Sequence, residues 1–239
     1  MTNYSIAVSS SACVGKVGNT ALSGGGSEAS FSVWVKPTSN AKQFWGNVDY
    51  TEAIGGGWAL VNAGANINVF MENIGGNFLS WTYTTPATLS DGNWHNLIVT
   101  YSSLAGSVAT AVNFYFDGTL QTATGLPSMT PGTLWSTSIH FAAIGDTPQL
   151  ETTQIGKYAY PAFYNFQLTS GDVSTIAAGA NLSGALAQWL FTEGTGTTAA
   201  DSSGNGNTLT LNTGFTWSTD VPFTPPTFSK KKASMFLVF

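Results

Sequence analysis

Apolar and polar residues alternate along this chain in short runs, and Gly, Asn, Asp or Pro separates one run from the next. A period of two puts successive side chains on opposite faces of a strand, so the pattern predicts half-buried antiparallel strands. In Ser30 to Lys36, Phe31, Val33 and Val35 share one face, Trp34 points the other way and Pro37 closes the strand. Further strands are expected over Gln43 to Val48, Trp58 to Asn62, Asn66 to Met71 and Asn77 to Tyr83. Asp91-Gly92-Asn93 turns into Trp94 to Tyr101, where Leu97, Val99 and Tyr101 fall together. Val112, Phe114 and Phe116 then alternate with Asn113, Tyr115 and Asp117, and Asp117-Gly118 turns the chain into a hairpin partner over Leu120 to Ala123. Ile139 to Ile144, Tyr158 to Leu168, Leu186 to Phe191 and Thr208 to Leu211 complete the set. Helical spacing occurs once, from Ser170, with Val173, Ile176 and Ala177 on one side and Gly179 as the stop. Many short strands without crossover helices predict an all-β fold of two packed antiparallel sheets over residues 1–221. Residues 222–239 are set apart as a Pro- and Lys-rich tail.

Composition supports a turn-rich β protein: 27 Gly supply turns, and only 8% of residues are charged, so solubility rests on Thr, Ser and Asn. All seven cations are Lys, and three of them, Lys230, Lys231 and Lys232, stand together near the end. Residues 1–229 therefore hold four Lys against twelve acids, a balance that repels phosphate backbones and excludes nucleic acid as a partner. The lone Cys13 has no partner for an internal disulfide and reads as a small buried hydrophobe. No apolar run reaches membrane-span length, and Met1-Thr2-Asn3-Tyr4-Ser5 lacks the basic and apolar regions of a signal peptide. The expectation is a product made in the cytoplasm, with no membrane partner.

Two segments carry a resemblance. Phe31-Ser32-Val33-Trp34-Val35-Lys36-Pro37, with Asp91 to Tyr101 and Val112 to Gly118, resembles the core strands of laminin-G-like domains, and Trp34 and Trp94 are expected in the packing between sheets. Trp189 to Gly196, with Ala200-Asp201-Ser202-Ser203-Gly204-Asn205-Gly206-Asn207, is similar to the segment that commonly opens such domains, placed here at the C-terminal end. The resemblance implies a concanavalin A-like jelly-roll sandwich. In Asp201 to Asn207 the Asp and Asn side chains are expected to bond nearby backbone amides. Calcium is the alternative there, but no alternating Asp-x-Asp ligand series is present, and no cofactor is expected.

Some glycosidases share this type of sandwich and need two carboxylates roughly 5–10 Å apart. The acids here are scattered singly, with no Glu-x-Asp-x-Glu series, and Asp49 with Glu52 reads as a solvated loop. His95, beside Trp94, reads as structural, and neither it nor His140 belongs to a nucleophile or metal motif. What remains is surface recognition. An exposed indole can stack on the apolar face of a sugar, and Trp45, Trp81 and Trp135 are the candidates, with Trp135 in Pro131-Gly132-Thr133-Leu134-Trp135 foremost; Trp58 lies in similar surroundings.

The chain finishes in Met235-Phe236-Leu237-Val238-Phe239, an apolar run costly to leave in water. Either it closes its own sandwich or the Pro-rich spacer carries it to a neighbouring subunit, with Lys230 to Lys232 meeting an acidic surface. Domains of the resembled family occur on virion surfaces, in adhesins and as accessory modules of enzymes. The leading expectation is a non-enzymatic virion protein that decorates or cements a phage capsid, docking on the major capsid protein or other virion subunits. It would form homo-oligomers and touch glycans. A soluble or secreted glycan-binding module is the alternative, and a glycoside hydrolase with an unrecognised site the third.

Overall fold

The computed structural model describes residues 2–9, 15–17, 28–38, 43–46, 57–62, 64, 66–73, 77–84, 89–102, 108–127, 143–144, 155–211 and 214–223. In chain order its elements are β1 (Ser5–Val8), β2 (Gly15–Val17), β3 (Glu28–Pro37), β4 (Gln43–Gly46), β5 (Gly57–Asn62), β6 (Asn66–Asn73), β7 (Asn77–Thr84) and β8 (His95–Ser102). A single helical turn, α1 (Val108–Ala111), leads to β9 (Val112–Phe116), β10 (Thr119–Leu120), β11 (Ala123–Gly125), β12 (Ala143–Ile144) and β13 (Gly156–Tyr164). Helix α2 (Ser170–Ala177) precedes β14 (Ala187–Gln188), β15 (Thr198–Ala199), β16 (Leu209–Leu211) and β17 (Phe215–Ser218).

These strands form two antiparallel sheets. The first runs β10-β9-β8-β3-β13-β1-β17, with β14 also on β13; the second runs β11-β7-β6-β5-β4-β12-β2-β16-β15. The chain's end thus pairs with its beginning, β16 on β2 and β17 on β1. That proximity is what the C-terminal placement of the 189–207 motif requires.

Alternation decides what enters the core. Phe31, Val33 and Val35 of β3, Leu97, Val99 and Tyr101 of β8, and Phe114 of β9 meet Ile67, Val69 and Met71 of β6 and Leu79, Trp81 and Tyr83 of β7. Burying each such side chain contributes about 1.5–3 kcal/mol. The Tyr83 hydroxyl crosses between sheets to donate to the Val112 carbonyl at 3.0 Å.

The outer face of the first sheet is covered as well, so all eight residues of β8 are buried. Ile98, Ala162 and Tyr164 pack there against Leu168, Val173, Ile176 and Ala185. Helix α2 forms where its spacing predicts: Thr169 caps it, accepting from the Asp172 amide while the Asp172 carboxylate accepts from the Thr169 amide. Gly179 ends it with φ +84°, the left-handed region that glycine enters without strain.

Three expectations are corrected. Trp34 and Trp94 do not pack between the sheets; both lie half-buried on the outer face, where Trp34 meets Phe223 edge-on and the Trp94 indole donates to Asp220. The position between the sheets belongs instead to Trp81 and Trp189. The strand expected over Leu120 to Ala123 is divided, because the chain leaves the first sheet after β10 and enters the second as β11. The strand expected over Tyr158 to Leu168 stops at Tyr164, where buried Ser30 accepts from the Leu168 amide and donates to the Phe166 carbonyl, turning the chain into α2. Cys13, His140, residues 139–142 and the tail from residue 224 lie outside the described residues, as do Asp49 and Glu52.

His95 is structural, pinning the β9–β10 hairpin to the turn before β8. Its Nδ1 bonds Asp117 Oδ2 at 2.9 Å and its Nε2 bonds Asp91 Oδ1 at 3.1 Å, with the ring on Phe116. Burial alone would push the imidazole pKa down; the Asp117 and Asp91 carboxylates outweigh it and hold the pKa above the ordinary value. The stabilisation this pin adds is therefore full below about pH 6.5 and fades as pH rises through the raised value. Urea denaturation from pH 5.5 to 8.5 should show that loss. His95→Ala should lower stability by about 2 kcal/mol at pH 6 and flatten the pH dependence.

Candidate functional site

Beyond α2 the chain folds back onto β13, and a cleft opens along this return. The Leu186 amide donates to the Phe163 carbonyl at 2.8 Å and the Trp189 amide to the Pro161 carbonyl at 3.0 Å, seating β14 beside β13. Trp189 is sealed into the core, its indole donating to the Asn207 carbonyl at 2.8 Å.

The run Asp201 to Asn207 closes over this return: Asp201 bonds nearby amides as expected, whereas the Asn205 and Asn207 side chains reach distant carbonyls instead. Asp201 Oδ1 accepts from the Gln188 and Ser203 amides at 3.0 and 2.9 Å, and Oδ2 accepts from the Asn207 amide at 2.9 Å. Asn205 Nδ2 donates to the Ala185 and Leu186 carbonyls, both at 3.1 Å, and Asn207 Nδ2 to Leu186 at 2.8 Å. Burial raises the Asp201 carboxyl pKa, but the bonds from Ser203, Gln188 and Asn207 prevail and hold it below the ordinary range. Both carboxylate oxygens thus accept from backbone amides, the structural role expected here. Among the described residues no group of three His, Cys, Asp or Glu is placed to hold a metal ion.

Between the return and this turn lies a cleft of about 510 Å³, lined by Asn165, Ser183, Gln188, Ser202, Ser203 and Asn205, with Leu182 and Leu186 as apolar walls. Its volume is that of a small-molecule site. Among the described residues no ionisable side chain lines it. Asn205 has committed its amide nitrogen and has Oδ1 to offer, while Gln188 gives its Nε2 to Asn181 Oδ1 at 3.3 Å. The walls therefore present neutral amides and hydroxyls, groups that exchange hydrogen bonds with an uncharged hydroxylated ligand without burying a charge.

Of the tryptophans expected as sugar platforms, Trp81 has a described side chain, and it does not line this cleft. Trp81 is 0% exposed in the core, so its indole has no open face, which corrects its assignment as a ligand contact. Trp45 lies on β4, opposite Leu60 and Ile144 in register, with its side chain outside the described set. Trp135 lies outside the described residues, as do Lys230, Lys231, Lys232, Met235, Phe236, Leu237, Val238 and Phe239. Asn165, Ser183 and Gln188 carry no sequence signal; only the 201–207 run stood out, and as a turn.

Residues 12–174 match the profile of the concanavalin A-like lectin/glucanases superfamily. No curated protein matches the chain. Among solved structures, a heptameric SAP-like pentraxin from Limulus polyphemus is similar with TM-score 0.60 and 12% identity, over 90% of this chain and 94% of that one. A Bacteroides ovatus protein whose name proposes carbohydrate binding is similar with TM-score 0.62 and 15% identity, over 93% of this chain. The chain spans 62% of that protein's length. At these identities the likeness is one of fold.

Replacing Asp201 by Ala should leave three backbone amides without their acceptor and cost about 2–3 kcal/mol in urea denaturation. Because the carboxyl pKa is lowered in the fold, the wild-type protein gains this stability above the ordinary carboxylate range and loses it as pH falls through the lowered value. The Asp201→Ala variant should lack that acid-dependent step.

Proposed function

Since the chain belongs to the concanavalin A-like lectin/glucanases superfamily, we propose that it is a non-enzymatic binding protein whose sandwich holds a neutral carbohydrate in the cleft between residues 182–188 and 202–205. The carrying observation is the lining itself: amides and hydroxyls around two leucines, with no ionisable group among the described residues. Glycoside hydrolysis needs an acid and a second carboxylate across the scissile bond, and neither stands among the described residues of this cleft. A neutral polyol satisfies such walls by hydrogen bonds, and the leucines cover its less polar edges. The similar fold of the Bacteroides ovatus protein supports the reading. The capsid-docking expectation has its main support in Lys230 to Phe239, which lie outside the described residues, and adds nothing to it.

A glycan array should return a ligand class. Asn165→Ala should weaken binding about tenfold by removing one hydrogen-bonding partner, and Ser183→Trp, at the exposed lip, should abolish it by filling the cleft. Both sites lie at the surface, so folding should be unaffected. A silent array, or tight binding that ignores both substitutions, would remove the proposal; new reducing ends after incubation with the bound glycan would show it to be an enzyme.

A further inference from the structure

The cleft between the return and the 201–207 turn has a floor as well as walls, and Gln188 supplies it. The residue is 9% exposed and stands in the cleft lining. Its backbone is held on both sides: the amide donates to Asp201 Oδ1 at 3.0 Å, the carbonyl accepts from the Ser202 amide at 2.6 Å, and β14 sets it opposite Ala162 of β13. The side chain is tied too, because Nε2 donates to Asn181 Oδ1 at 3.3 Å. Oε1 then meets no donor among the described residues, yet it is not sealed away from solvent as Asn68 Oδ1 and Asn96 Oδ1 are. An amide oxygen on a nearly buried side chain, open where that side chain borders a cleft, leaves one unmet acceptor for a ligand to satisfy.

The fixed groups beside it have the same polarity. Asn205 Nδ2 is spent on the Ala185 and Leu186 carbonyls and on Ser203 Oγ at 3.2 Å, so Oδ1 is what it keeps. Ser203 gives its hydroxyl proton to the Leu186 carbonyl at 3.3 Å. Exposed Ser183, Ser202 and Asn165 can donate at the rim, but among the described residues no lysine or arginine lines the cleft. A carboxylate or sulfate brings acceptor oxygens only; set against acceptors, both sides lose their water without a replacement bond. A sugar hydroxyl brings a proton and exchanges one hydrogen bond for another.

Resting on the carbohydrate reading of this cleft, we propose that Gln188 Oε1 is its specificity-determining acceptor: the cleft takes sugars that donate a free hydroxyl to its floor and turns away glycans that meet it with a carboxylate or sulfate. Gln188 is held in place before a ligand arrives, so the bond costs little further ordering. The direction of the hydrogen bond sets the preference, rather than the net charge of −5 carried by the whole chain.

The full-length protein is tested on an array carrying each neutral oligosaccharide beside its sulfated and uronic-acid-capped forms. It is read at ordinary salt and at about 1 M salt, where a Debye length of about 3 Å screens the charge of the whole molecule. Binding should stay with the neutral forms at both. Rejection that vanishes at high salt, or acidic glycans bound as well as neutral ones, would overturn the proposal and leave the cleft as the site. For the tightest-bound oligosaccharide, singly deoxyfluorinated analogues keep the shape and remove one hydroxyl proton at a time; at least one should bind about tenfold more weakly. Gln188→Met, of similar volume, should bind the parent sugar about tenfold more weakly and be indifferent to that same fluorine, a coupling that a merely structural role would not produce. Equal sensitivity to the fluorine in both proteins overturns the role of Gln188, as does a folded Gln188→Met protein that binds like wild type. Should that variant fail to fold, the fluorinated series on wild-type protein decides, and the absence of any sensitive hydroxyl overturns the proposal. A silent array, or binding that ignores Ser183→Trp, removes the cleft reading itself and this inference with it.

Discussion

The arrangement rests on one constraint: β8 is dry on both faces. Antiparallel sheets commonly leave one face to water, and a strand that reads apolar on alternate positions needs only one cover. Here Leu97, Val99 and Tyr101 meet the opposite sheet while Ile98 faces outward into a second apolar cluster. That second face demands a lid, supplied by α2 and by the return over 181–188, while residues 219–223 cover the neighbouring outer faces of β3 and β13. The cleft is a consequence of the lid, opening where the return settles back onto β13.

A second theme is how few charges the chain has and where it uses them. With 8% of residues charged, each carboxylate matters, and several serve as pins for the backbone. Asp201 holds three amides of the 188–207 region, Asp117 holds the Asn96 amide together with His95, and Asp172 caps α2. Buried polar backbone must find partners, and short acidic side chains are the ones that reach. Once these are spent, the cleft is left with Asn, Gln and Ser, which suits an uncharged ligand better than an ion. The same economy makes the Asp220 knot conspicuous, since two of the four lysines outside the tail converge on it.

Much of the fold was legible along the chain. The faces of β3, β8 and β9 follow the alternation of their residues, and α2 follows from Val173, Ile176 and Gly179. Strands β1 and β17 escaped, because four-residue runs carry too little period to distinguish them from loop. The tryptophans misled for a different reason. An indole suits a core or a half-covered outer face equally well, and local pattern cannot say which one Trp34, Trp81 or Trp94 occupies once both faces of a sheet are covered. The 201–207 turn was legible as a turn because Asp201 bonds the nearby Ser203 and Asn207 amides, but nothing along the chain announced that Asn205 and Asn207 would reach back to Ala185 and Leu186, or that Asn165 would face Ser202 across a cleft.

What the sequence determined alone was therefore the layered antiparallel architecture, its helix and its neutral, turn-rich chemistry. These depend on residues a few positions apart, whose spacing dictates which side chains share a face. Tertiary structure alone decided where that chemistry gathers. Lys157 reaches Asp220 across 63 positions and Ser5 reaches it across 215, and such meetings depend on which strands become neighbours in the sheets, a choice made by the packing of the whole chain.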